Sequence, residues 1–73
     1  MDRAEHLQWC KDRAMEYVKH GDFNSAVTSM LSDLTKHPDT AASGSGILAQ
    51  LGMMELLNLP TAEKITKYIQ GFN

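Results

Sequence analysis

The chain has 73 residues, 42% of them hydrophobic and 22% charged, with seven basic and nine acidic side chains and a net charge of −2. That length holds one domain, residues 1–73, and a domain this small buries only about 60% of the surface of its unfolded chain, so a partner or a second copy is a natural supplement. The slight acidic surplus argues against nucleic-acid binding, which draws most of its affinity from basic side chains on phosphate. The single Cys10 excludes an internal disulfide framework and fits a reducing compartment, no apolar run approaches the roughly 18 residues of a membrane span, and the opening MDRAEHLQW is no signal core.

Helical periodicity runs through the chain. Asp2 followed by Glu5 reads as a capping box, and Ala4, Leu7, Cys10, Ala14, Tyr17 and Val18 recur at steps of three and four. This predicts a helix over about residues 3–19, closed by His20-Gly21 with glycine at the left-handed position. Asp22 or Asn24 caps a second helix over about 23–36, whose stripe is Phe23, Ala26, Val27, Met30, Leu31 and Leu34 and whose other face is Ser25, Thr28, Ser29 and Ser32. Pro38 stops it. Residues 38–46, rich in small side chains, read as a loop.

A third helix over about 46–58 is apolar nearly all round, interrupted only by Gln50 and Glu55. Such a helix must be covered on more than one side, which places it at the centre of the domain or in a dimer interface. Asn58-Leu59-Pro60-Thr61 breaks the chain, Thr61 caps a fourth helix over about 62–70 whose apolar face is Ile65, Tyr68, Ile69 and Phe72, and Gly71 closes it. No segment alternates as a strand does. The expected fold is all-α, a compact four-helix domain with helix 3 central.

Tyr17, Gly21-Asp22-Phe23, Ala26, Leu34 and Pro38 sit at the spacing of a tetratricopeptide helix hairpin, which the first two helices resemble. Asp33 stands where that motif has a small residue, Arg13-Ala14 stands where it has leucine-glycine, and there is no second copy. Because a solenoid needs about three repeats to bury its faces, the likeness is read as convergent packing and implies no peptide groove.

Taken together, Leu7–Ala14, Gly21–Pro38, Gln50–Leu57 and Tyr68–Asn73 resemble a family of short bacteriophage-encoded helical proteins. The strongest marks are Trp9-Cys10, Ser32-Asp33-Leu34, Lys36-His37-Pro38-Asp39 and Gly71-Phe72-Asn73. The resemblance implies a setting and no particular chemistry: an accessory protein in the cytoplasm of an infected bacterium, binding a host protein, with inhibition of a host defence system as one form.

The residues themselves offer little catalysis. His6 and Cys10 share a helix face and would supply two zinc ligands, yet no second pair stands at metal spacing, and Cys10 lies mid-stripe as a buried thiol does. No third residue would orient a Cys–His pair. The chain is therefore expected to be no enzyme and to need no cofactor or metal. The candidate protein-binding surface is the outer face of helix 1: Trp9, Arg13, Glu5, Asp12 and Glu16. Arg13, one turn from Trp9, can stack on the indole. Trp9 has two readings, an interface hot spot or a side chain packed against helix 4 and Phe72. Glu5, Asp12 and Glu16 lie opposite the apolar stripe as a solvated acidic face. Met30 reads as core; Met53 is the better candidate for an adaptable binding surface, with core or dimer packing the favoured reading for these methionines. The competing function is a small-ligand or nucleotide-sequestering oligomer that uses the loop from Ala41 to Gly46. Whether the chain covers helix 3 itself, or a second molecule does so through helix 3 or helix 4, is left open.

Overall fold

The computed structural model describes residues 2–38, 40–41 and 47–72, with the side chains of residues 47–49 outside that description. The described residues form four helices in chain order: α1 Arg3–Lys19, α2 Phe23–Leu34, α3 Ile47–Leu57 and α4 Ala62–Gln70. The all-α expectation holds, with α2 ending two residues early. The Ser/Gly loop beyond Ala41 lies outside the described residues.

Each cap follows from a side chain or a glycine in the right place. Asp2 accepts the Glu5 amide at 2.8 Å, Asp22 the Ser25 amide at 3.2 Å and Thr61 the Lys64 amide at 3.1 Å, each satisfying an amide that the first helical turn leaves unpaired. At the end of α1, Gly21 takes φ +73°. Its amide bonds Val18 O and the Asp22 amide bonds Tyr17 O, both at 3.0 Å, closing the helix and reversing the chain. The C-terminal end of α2 is closed by Thr40, which is fully buried and donates its hydroxyl to Leu34 O at 2.6 Å.

The core lies where three stripes meet. Leu7, Cys10, Ala14 and Val18 of α1 face Ala26, Val27, Met30 and Leu34 of α2, and Ile65, Ile69 and Phe72 close the third side. The α1–α2 pair packs most extensively, with the start of α1 beside the end of α2, so the two run antiparallel.

The structure corrects the expectation that helix 3 is central. α3 lies to one side, resting on α2 and α4. It approaches them closely at Gly52, which is buried: a Cβ there would stand 2.5 Å from Tyr68 Oη and 2.9 Å from Val27 Cγ1. Glycine thus lets one face of α3 sit on the tyrosine ring, while Leu56 packs against the core edge. On the other face, Leu51, Met53, Met54 and Leu57 are largely exposed.

Candidate functional site

Two regions stand out, one polar and closed, the other apolar and open. The polar one is built around Asp33. This residue falls on the apolar stripe of α2, three residues after Met30, so helical geometry carries its carboxylate inward. Its side chain is only 3% exposed. It survives there because it is well partnered. Arg13 Nε donates to Oδ2 at 2.7 Å, Lys36 Nζ to Oδ1 at 2.9 Å and Ser29 Oγ to Oδ2 at 3.3 Å. Burial pushes the carboxyl up, but the hydrogen bonds and charges of Lys36 and Arg13 outweigh it and hold the group below its ordinary range.

Trp9 lies half-buried beside this cluster. The Arg13 guanidinium sits 4.8 Å from the indole centroid and the Lys36 ammonium 5.7 Å, so the two cations that hold Asp33 also cover the ring. His6 stacks on Trp9 at 5.5 Å and on His37 at 5.1 Å. His6 Nε2–H donates to the Asp33 carbonyl at 2.8 Å, and the Cys10 sulfur lies 3.5 Å from the same nitrogen. Burial first, and then the Asp33 charge, push the Cys10 thiol up, which disfavours the thiolate that a nucleophile or a zinc ligand needs. Among the described residues, no three His, Cys, Asp or Glu side chains are grouped to hold a metal ion.

Of the sequence-predicted surface, Trp9 and Arg13 are brought together as a stacked pair tied to Asp33. Glu5, Asp12 and Glu16 lie exposed on the same side of α1, where Gln8 donates to Asp12 at 2.8 Å and Lys19 to Glu16 at 3.4 Å. Lys36, His37 and Asp33 are the members that sequence reasoning missed. Asp33 was visible as a carboxylate on an apolar stripe and Lys36 as its partner at i+3, whereas His37 lies beyond the expected helix, where no periodicity places it. Next to the cluster, Arg13, Tyr17, Lys36 and the hydroxyls of Ser25, Thr28, Ser29 and Ser32 line an open groove of about 350 Å³.

The second region is the outer face of α3 and the turn after it. Leu51, Met53, Met54, Leu57 and Leu59 are 44%, 56%, 61%, 87% and 83% exposed. Along an 11-residue helix whose one ionisable residue is Glu55, this is an uncharged face. Leu59 adds a second cost: its φ is +49°, the left-handed region that a side chain of this shape avoids at about 1–2 kcal/mol. Between α3 and α4 an open groove of about 380 Å³ is lined by Leu51, Glu55, Asn58, Lys64, Lys67 and Tyr68. Burial pushes the Tyr68 phenol up to about 12.

No known family, no curated protein and no solved structure matches this chain. Among the described residues, no helix is long and apolar enough to cross a membrane.

Proposed function

We propose that this chain works by binding another protein and is itself no enzyme. The observation that carries the reading is the uncharged face of α3 with the turn after it: four large apolar side chains on the helix and Leu59 beyond its end stand exposed, while the stripes of α1, α2 and α4 close on one another. Monomeric domains rarely leave a contiguous apolar patch of several hundred Å² in water unless something docks there. Met53 and Met54 add unbranched, polarisable side chains that adapt to a partner's shape. The resemblance to short phage-encoded proteins makes the partner a host protein in the cytoplasm of an infected bacterium, with inhibition of a host defence system as one concrete form. The exposed carboxylates Glu5, Asp12 and Glu16, with Trp9 and Arg13 beside them, supply a second, charged contact surface on α1.

Capture from host lysate by wild type and by Leu57→Glu tests this. The expected result is one specific protein held by wild type and lost by the variant, with the helical circular dichroism of the two unchanged. Wild type that holds no specific protein, or a variant that holds it equally well, contradicts the reading.

The groove beside Arg13 and Lys36, walled by hydroxyls, favours a second reading as a small-ligand binder. Native mass spectrometry of protein purified from its host checks it: a retained small molecule of constant mass supports this reading, and the bare chain mass counts against it.

A further inference from the structure

We infer that the first occupant of the α3 face is a second copy of this chain, seated antiparallel on α3. The inference rests on the protein-binding reading of that face and names its partner. In a two-fold contact every patch meets itself, so a charged face would bring like charges together. The outer face of α1, with Glu5, Asp12 and Glu16, fails that condition; the outer face of α3 meets it, because Leu51, Met53, Met54 and Leu57 carry no charge.

The spacing suits the symmetry. With the two-fold axis at Met54, Leu51 of one copy stands opposite Leu57 of the other, and the reverse contact forms three residues on the other side. Antiparallel pairing also sets the C-terminal end of each helix dipole beside the N-terminal end of its mate. The same face carries a projection and a hollow. Leu59 projects immediately after Asn58, and Asn58 is itself a wall of the α3–α4 groove, where Leu51 and Tyr68 form an apolar strip beside Glu55, Lys64 and Lys67, charges of both signs. Each copy can seat its Leu59 in the groove of the other, which is the reciprocity that an isologous contact requires. The apolar patch would form the centre of an interface of about 800 Å² on each copy, the usual size for a specific contact. A host protein that takes this face must displace the second copy.

Sedimentation equilibrium of the full chain from about 1 µM to about 1 mM tests the inference. Wild type should rise from its monomer mass of 8.1 kDa toward twice that value. Leu57→Glu should weaken the association by ~30-fold or more, because the change enters the contact twice at its apolar centre. Leu59→Gly keeps folding and association apart. Glycine accepts the positive φ, so the midpoint of thermal unfolding at low concentration should hold or rise, while dimerisation weakens. Wild type that stays at 8.1 kDa throughout overturns the inference, as does a dimer that neither variant weakens. A monomer whose host capture is still abolished by Leu57→Glu removes only the second copy as occupant; a monomer that captures nothing removes the protein-binding reading as well.

Discussion

The α1–α2–α4 side of the molecule and the α3 side are built on opposite terms. On the first, three apolar stripes close on one another, and the polar groups carried inward are all engaged: Asp33 with Arg13, Lys36 and Ser29, His6 with a carbonyl, and Thr40 with the end of α2. On the second, an apolar-rich helix meets the body at Gly52 and Leu56, while its described side chains Leu51, Met53, Met54 and Leu57 stand largely in water. The lesson is that apolar content does not place a helix at the centre. A helix becomes central when neighbours have matching stripes to offer, and those of α1, α2 and α4 are used up on each other.

The comparison can be broken first in the core. Leu34→Ala should cost about 2–5 kcal/mol, because a fully buried leucine leaves both lost burial and a cavity. Leu57→Ala, on the exposed side, should change the unfolding free energy at low concentration by no more than about 0.5 kcal/mol. Chemical denaturation of both variants measures the contrast, and equal costs would mean that α3 belongs to the core after all. Gly52→Ala is expected next. The new methyl would meet Tyr68 and Val27 at under 3 Å, an overpacking of about 1–3 kcal/mol set against a helix-propensity gain of about 1 kcal/mol. The readout is altered Tyr68 fluorescence and loosened α3 with α1 and α2 intact.

Asp33→Asn should cost about 1–2 kcal/mol at neutral pH, since its two cationic partners are half-exposed and can return to water. The sign with pH is fixed by direction. A carboxyl held below its ordinary range adds stability above the unfolded pKa and loses it as pH falls through the folded one. The gap between wild type and variant should therefore close in acid, and unfolding curves at neutral and low pH check it. The smallest effect concerns Tyr68. With its phenol pushed up to about 12, its stabilising share is complete below the ordinary tyrosine pKa of about 10 and is lost as pH rises toward 12. An alkaline absorbance titration should lose its late step in Tyr68→Phe.

Much of this architecture could be read from residue spacing. The caps at Asp2, Asp22 and Thr61, the glycine turn at Gly21 and the buried Cys10 and Met30 all stand where periodicity and cap chemistry put them. The stacking of Arg13 on Trp9 was legible because residues one turn apart on a helix are neighbours. What spacing could not supply was tertiary. Lys36 and His37 reach Trp9 and His6 only because the α1–α2 hairpin brings the end of one helix to the start of the other. The displacement of α3 was hidden for a related reason: a helix that is apolar all round gives no direction, so its sequence shows that it needs cover without showing whose.

The most direct test of the account is amide hydrogen exchange at low and high protein concentration. Protection of α3 should rise steeply with concentration while the amides of α1 and α2 exchange at unchanged rates, because only α3 gains a neighbour when two copies meet. Equal protection of α3 at both concentrations would contradict the claim that a second copy of this chain covers its apolar face.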